Sequence, residues 1–208
     1  MKDSKFKWAL PPDVFLTREE VKTLRSWVKK RKQKEKTRIA YNDWFIIETL
    51  FNSGLRVAEI AALTCSDIVI RSDWSWVFVR DGKGHKSRQV FIGREFCDEA
   101  MEFISEKEVR GEKIGPDDIL LYSPKSDGKF TTRALEMAFD RCLNGAGIKT
   151  DHSIHHGRHT YASMLYRSSK KNLRFVQTQL GHEDIRVTQV YANVFKEDIK
   201  DAVENLFK

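Results

Sequence analysis

The sequence predicts an α+β fold that is mostly helical and contains one small antiparallel sheet. Apolar residues recur at helical spacing between cap residues in the first third of the chain. A single stretch rich in aromatic and β-branched residues then surrounds a glycine-containing turn. Helical patterns resume after it, without the alternation of strands and helices that is typical of a parallel sheet.

The first three predicted helices have recognisable ends. Thr17 and Glu20 form a capping box before the first helix. The second spans roughly Tyr41 to Asn52 and stops at Gly54, which suits the left-handed conformation after a helix end. The third begins around Arg56. The apolar positions are Val21, Leu24 and Val28 in the first helix, and Val57, Ile60, Ala61 and Leu63 in the third.

A β-hairpin is predicted next. Residues 74–80 and 87–92 are rich in aromatic and β-branched side chains, and residues 81–86 between them contain two glycines. The remaining expected elements are helices over about 95–108 and 131–144, a loop through 115–128, and a helical last third with breaks near Asp151 and Gly181 and before Thr188.

The composition excludes several classes of protein. A chain of 208 residues has room for one domain with a real core. No apolar run approaches the ~18 residues of a membrane span, and no secretory signal precedes the two prolines at 11 and 12. Three cysteines without a C-x-x-C pair argue against a disulfide framework or a thiolate metal site. We therefore expect a cytoplasmic protein.

Positive charge is concentrated at the start of the chain. The net charge is +7, and residues 1–40 contain 13 Lys and Arg against 5 Asp and Glu. This excess indicates either a surface for a polyanion such as nucleic acid or simply a solvated helix end. The candidate DNA contacts in this run are Lys29, Lys30, Arg31, Lys32 and Lys34.

Four of the six histidines lie between Asp151 and His159. A metal site is one interpretation, because His155 and His159 are four residues apart on a predicted helix. Against it, the cluster has no carboxylate at ligand spacing and includes Arg158. A second interpretation is a set of packed structural histidines. A third is an anion site, since His155 and Arg158 lie on one helical face.

Other residues could serve the same anion. Arg56 follows Gly54 at a helix N-terminus, and Lys83 lies in a tight Gly-Lys-Gly turn. His182 and Tyr191 are nine residues apart, which in one continuous helix would place them on opposite faces. They can share a site only if the helix breaks, and Thr188 is a plausible N-cap for a new short helix carrying Tyr191.

Four motifs in this order resemble the catalytic domain of the tyrosine recombinases, the phage integrase family. They are Ser53-Gly-Leu-Arg-Val-Ala-Glu-Ile, Gly82-Lys-Gly-His-Lys-Ser-Arg, His155-x-x-Arg-His-Thr and Leu180-Gly-His, with Tyr191 nine residues after the last histidine. The similarity runs from about Leu16 to Phe195 and implies the catalytic-domain fold of that family.

The resemblance implies a role for each matched residue. Arg56 and Arg158 would clamp the scissile phosphate, Lys83 would protonate the leaving 5′-oxygen, and Tyr191 would be the nucleophile. His155 and His182 would be further donors, Glu59 would orient the site without reacting, and Lys86 and Arg88 would contact DNA. No metal, ATP or other cofactor is expected.

The chain also departs from the family pattern. Gly157 replaces the leucine usual before the second arginine, which is expected to loosen the packing that aims Arg158. Residues 1–13 are predicted to be a basic tail and 14–195 the catalytic domain, without an N-terminal core-binding domain. The chain would then be either a catalytic fragment or a naturally short member. Residues 196–208 are predicted to form an amphipathic helix that docks on its own domain or on a neighbouring protomer.

The expected activity is site-specific DNA recombination of the integrase or invertase type through a 3′-phosphotyrosine intermediate. Two alternatives keep the fold: a type IB topoisomerase-like or telomere-resolving strand transferase, and a DNA-binding accessory protein that does not cut. The expected partners are double-stranded DNA with a specific site, three further copies in a tetramer on DNA (a monomer in free solution), and accessory DNA-bending proteins. No membrane partner is expected, and the host would be a prokaryotic cell, a phage or a mobile element.

Overall fold

The computed structural model describes residues 15–80, 87–123, 128–182 and 188. Within these residues the chain is mostly helical with small antiparallel sheets, which confirms the predicted fold class. The helices are α1 (Arg18–Glu35), α2 (Arg38–Ser53), α3 (Val57–Ala62), α4 (Arg94–Val109), α5 (Thr132–Gly145), α6 (Ile154–Ser168) and α7 (Leu173–Leu180). None of these helices is long and apolar enough to cross a membrane.

The strands form two sheets. β1 (Ile68–Val69), β2 (Ser75–Val79) and β3 (Arg88–Ile92) pair antiparallel in the order β1-β2-β3, and β4 (Tyr122–Ser123) pairs with β5 (Gly128–Lys129). Val77 lies opposite Val90, and both are fully buried. The predicted hairpin is confirmed in its two strands, while its turn lies outside the described residues. The sequence patterns did not indicate β1, β4 or β5.

Helix α2 lies at the centre of the fold and packs against α1, α4, α5 and α6. Its side chains are buried around much of its circumference, including the polar Asn42, Asp43 and Glu48. Phe45 stacks on Phe103 of α4 with ring centroids 4.0 Å apart. This packing holds the carboxyl end of α2, and therefore Gly54, in a defined place.

Helix ends follow the predicted cap residues. The Glu20 backbone N–H donates to Thr17 Oγ1 (3.2 Å), and the Thr17 N–H donates to Glu20 Oε2 (2.7 Å), so the capping box is confirmed. The break between α6 and α7 was not predicted. Lys170 and Lys171 there have positive φ, and the Asn172 side chain caps α7.

The basic run of α1 is partly internal, which corrects its interpretation as one exposed surface. Lys32 is 3% exposed, its ammonium group binds Glu102, and it lies 3.4 Å from the centroid of the Trp44 ring. Arg31 donates to Asp43 at 2.6 Å. The run forms the last part of α1, whose inner face packs on α2, so Lys32 continues the buried series Val21, Leu24 and Val28 at helical spacing. Lys29, Lys30 and Lys34 are exposed.

A buried carboxyl group lies where α1, α2 and α4 meet. Glu99 is 6% exposed, and within the described part of the chain neither of its oxygens has a hydrogen-bond partner. Glu48 and Glu95 share Arg25, which donates to both, and Lys29 also faces this group. Burial, followed by the charge of Glu48, raises the pKa of Glu99 to about 7.

We expect Glu99→Met to stabilise the protein at alkaline pH. The pKa of Glu99 is higher in the folded than in the unfolded chain, so ionisation costs stability progressively from about pH 4.5 up to about pH 7. The gain in unfolding free energy should be on the order of 2 kcal/mol larger at pH 8 than at pH 5. Urea unfolding at the two pH values measures it. The exposed neighbour Asp98, changed to Asn, is the control; a gain that is equal at both pH values would contradict this prediction.

Candidate active site

Gly54 ends α2 and determines the direction of the chain before Arg56. Its φ is +60°, and a Cβ atom there would overlap the ring of Tyr161 on α6. Both the left-handed backbone and the close ring therefore require glycine. The chain turns at this point, so that Arg56 becomes the residue before α3 and its side chain remains 28% exposed.

Arg158 lies at the carboxyl ends of two helices. Its guanidinium donates to the carbonyl of Gly54 after α2 and to that of Leu180, the last residue of α7 (2.9 Å). Carbonyl groups at a helix C-terminus carry partial negative charge, so a cation is favourable there. Arg158 is only 8% exposed, which fixes its guanidinium in orientation.

Gly157 lets α6 approach α2 closely. A Cβ atom at this position would overlap the side chain of Leu50, which is 1% exposed. Leu50 thus fills the space that a larger residue would occupy. The expectation that Gly157 loosens the packing around Arg158 is therefore wrong, because the neighbouring helix compensates for the missing side chain.

Glu59 joins two arginines. Its carboxylate accepts from the backbone N–H and from Nη1 of Arg56, both at 2.8 Å. Its two oxygens also accept from Nη1 and Nη2 of Arg88 on β3, again at 2.8 Å. Burial alone would raise the pKa of Glu59, but the hydrogen bonds and charge of Arg88, together with Arg56, lower it to about 2. Glu59 is thus ionised and holds Arg56 in place.

His182 completes the described cluster. Its Nε2 lies 3.2 Å from Nη2 of Arg158, and its Nδ1 lies 3.0 Å from Oγ1 of Thr188, which is fully buried. Because a guanidinium only donates, this arrangement makes Nε2 the acceptor and places the proton on Nδ1. Burial, followed by the charges of Arg158, Arg56 and Arg88, lowers the pKa of His182 to about 4. The imidazole is neutral at physiological pH.

The structure therefore brings together four of the residues singled out from the sequence: Arg56, Glu59, Arg158 and His182. His155 is exposed in the first turn of α6, three residues before Arg158. Lys83, Lys86 and Tyr191, with the helix expected after Thr188, lie outside the described residues.

The other histidines of the cluster have different surroundings. The His156 Nδ1 accepts the Ser153 N–H (2.8 Å) at the start of α6, which gives this histidine a capping role. Burial lowers the pKa of His159 to about 4. Among the described residues, no three His, Cys, Asp or Glu side chains are arranged to bind a metal ion.

Two contributors to the site were not found by sequence reasoning. Arg88 was expected to contact DNA, but its side chain is 14% exposed and its guanidinium is bound to Glu59. Gln179 connects α7 to β3 through hydrogen bonds to the backbone of Phe91. Neither pairing can be predicted from local sequence patterns, because the partners are 29 and 88 residues apart in the chain.

A family model described as the phage integrase family matches residues 14–198. The chain belongs to this family. Among its curated members, tyrosine recombinase XerC of Halalkalibacterium halodurans is 35% identical over 161 residues, which are 75% of this chain and 51% of that protein. Tyrosine recombinase XerA of Thermococcus kodakarensis is 30% identical over 190 residues, 91% of this chain and 61% of that protein. The chain thus spans about half to three fifths of these relatives' length.

Solved structures of phage integrase family proteins share the fold. XerH recombinase bound to a palindromic difH substrate in a post-cleavage complex matches with a TM-score of 0.76 at 21% identity, over 94% of this chain and 54% of that one. A XerA recombinase crystal structure matches with a TM-score of 0.73 at 24% identity, over 96% of this chain and 67% of that one. The predicted family and catalytic-domain fold are confirmed.

We expect Glu59→Gln to destabilise the protein strongly at neutral pH. The substitution leaves Arg56 and Arg88 without their shared anion, and breaking a buried ion pair costs about 3 kcal/mol. The pKa of Glu59 is lower in the folded chain, so its contribution is present above about pH 4.5 and is lost as the pH falls towards 2.

Urea unfolding between pH 7 and pH 3 checks this. The difference in unfolding free energy between the wild type and the variant should become smaller over the lower part of that pH range. The control is Glu19→Gln on the exposed face of α1. A difference that does not change with pH would contradict the assignment of an ionised Glu59 between two arginines.

Proposed function

We propose that this protein is a site-specific DNA recombinase that cleaves and rejoins strands through a 3′-phosphotyrosine intermediate. The observation that carries the proposal is the convergence of Arg56, Arg158 and His182 around one position, with Glu59 holding the first arginine. Membership of the phage integrase family supports it, as do the names of the related tyrosine recombinases.

The residue types suit attack on a phosphodiester. Charge builds up on the phosphoryl oxygens as a fifth oxygen approaches phosphorus, and fixed guanidinium groups stabilise that charge. Arg158 is held by helix ends and Arg56 by Glu59, so neither needs to reorganise during the reaction. A phosphate at this position would also favour the protonated form of His182 and so raise its pKa from about 4.

The proposed covalent steps balance without a metal ion or ATP. The phenol oxygen of Tyr191 attacks phosphorus as its proton passes to solvent water, and a bond forms between that oxygen and the 3′-phosphate. The bond to the 5′-oxygen breaks, and Lys83 supplies a proton to that oxygen. His155 adds a donor from the exposed first turn of α6. Rejoining reverses these steps with the 5′-hydroxyl of another strand.

Double-stranded DNA is the proposed partner. Lys29, Lys30 and Lys34 are the exposed cations of the α1 run and would contact phosphates, together with Lys86, which lies outside the described residues. Arg31, Lys32 and Arg88 are bound internally by carboxylates, which makes them weaker candidates for that role. The relative XerH has been captured on its difH substrate after cleavage.

Assembly on DNA is proposed as a tetramer of protomers that are monomers in free solution, with DNA-bending proteins as accessory partners. In this arrangement residues 196–208 would dock on a neighbouring protomer and link the sites. Size measurement of the free and DNA-bound protein would test both statements. A tetramer in the absence of DNA would contradict the monomeric free state, and a DNA complex containing one protomer would contradict the tetramer on DNA.

The decisive experiment uses a nicked duplex that traps the covalent intermediate. A site is first selected from a random-sequence duplex pool by binding, and the nick lets the short 5′-hydroxyl fragment diffuse away. We expect an SDS-resistant adduct with the wild type, none with Tyr191→Phe, and a loss of more than about 100-fold in rate with Arg158→Lys. EDTA should not reduce the yield. Equal adduct from Tyr191→Phe would overturn the proposal.

The same material separates the alternatives. Relaxation of supercoiled DNA by monomers without sequence preference would favour a topoisomerase-like enzyme. Specific binding without any adduct on the selected site would favour a non-cutting accessory protein. Exchange of strands between two duplexes carrying the selected site is the result expected for a recombinase.

A further inference from the structure

Among the described residues, β3 is an edge strand of its sheet, and one side chain binds the outward-facing backbone groups of Phe91. In the strand order β1-β2-β3, the described part of the chain places no strand on the second side of β3. On that side the Phe91 N–H donates to Gln179 Oε1 (3.2 Å), and Gln179 Nε2 donates to the Phe91 carbonyl (2.6 Å). An amide group has the same donor and acceptor as a peptide unit, so Gln179 takes the place of a further strand.

The side-chain amide of Gln179 also contacts α6. Gln179 is 4% exposed, and its Nε2 also lies 3.2 Å from the hydroxyl of Tyr161. The Tyr161 ring lies against Gly54, whose carbonyl binds Arg158. A buried amide with all of these contacts has one orientation, which makes the distance between β3 and α7 well defined.

The cluster formed by Arg56, Glu59, Arg158 and His182 is connected to the Gln179 amide from two sides. On one side, β3 carries Arg88, which passes over Gly181 and binds Glu59, the partner of Arg56. On the other, the residue after Gln179 is Leu180, whose carbonyl binds Arg158. His182 follows two residues later and also contacts Arg158.

We propose that Gln179 is a positioning residue, whose amide sets the separation between β3 and the end of α7 and thereby places Arg56 opposite Arg158 and His182. Its effect on DNA cleavage rests on the function proposed above. The effect of Gln179 on the arrangement of the cluster is independent of that proposed function, because the arrangement is present in the protein without DNA.

The test replaces Gln179 by Met, which has a similar shape but cannot form either hydrogen bond. The titration of His182 is followed by NMR of histidine-labelled protein without DNA, with His182→Gln used to assign its signal. If the separation of β3 and α7 increases, water reaches the imidazole and the arginines move away. The titration midpoint should therefore rise by about one pH unit or more from its low wild-type value.

The matched control is Thr178→Ala, one residue earlier on α7. Thr178 is exposed, and its hydroxyl donates within the helix to the carbonyl of Arg174. The Thr178→Ala substitution should leave the titration midpoint of His182 unchanged. A folded Gln179→Met variant with the wild-type midpoint would overturn the proposal, because a merely structural side chain loses stability without moving His182.

Where Gln179→Met does not fold, Tyr161→Phe takes its place. It removes the hydroxyl that holds the amide nitrogen but keeps the ring against Gly54. A smaller rise of the same midpoint is expected, and no rise in this folded variant would overturn the proposal.

Adduct formation on the selected nicked duplex gives the second readout. For Gln179→Met we expect a loss of about 10- to 100-fold in cleavage rate, as for an active-site displacement of up to about 1 Å. If the wild type forms no adduct, the proposed function fails, while the His182 titration still decides the role of Gln179. A shifted midpoint with an unchanged cleavage rate would overturn the catalytic part of the inference.

Discussion

The site depends on a guanidinium group buried where two helices end. Removing a charge from water is costly unless the surrounding groups replace the lost solvation. For Arg158, the carbonyls of Gly54 and Leu180 at the ends of α2 and α7 replace the lost solvation. The ends of α2 and α7 must therefore meet at one point, and much of the surrounding structure brings them there: the left-handed Gly54, the Tyr161 ring beside it and the close packing of Gly157 on Leu50.

A second charge arrangement complements the first. Arg56 is held by a carboxylate rather than by helix ends, and that carboxylate is itself held by Arg88 from β3. The two arginines proposed to bind phosphate are thus supported by different parts of the fold. The small sheet contributes through Arg88, and the end of α7 contributes through Leu180, with His182 just after it. Gln179 is the direct hydrogen-bonded link between these two parts.

Much of this architecture was predictable from local patterns in the sequence. Cap residues such as Thr17 and Gly54 gave correct helix ends, because capping depends on residues within one turn. The order and spacing of the motifs identified Arg56, Glu59, Arg158 and His182 as one group. What could not be predicted were contacts with distant partners that no motif marks. Lys32 looks like a surface lysine until Trp44 and Glu102 are placed around it, and the left-handed Lys170 and Lys171 have no local signal.

The exposed border of a β-sheet is a place where unrelated chains readily attach, because its peptide groups are available for pairing. In this protein the two peptide groups at Phe91 are already satisfied by a helix side chain. An incoming strand would have to displace Gln179 before it could pair there. The side chain that joins β3 to α7 therefore also occupies, in the folded protein, the peptide groups through which another strand would pair with β3 at Phe91.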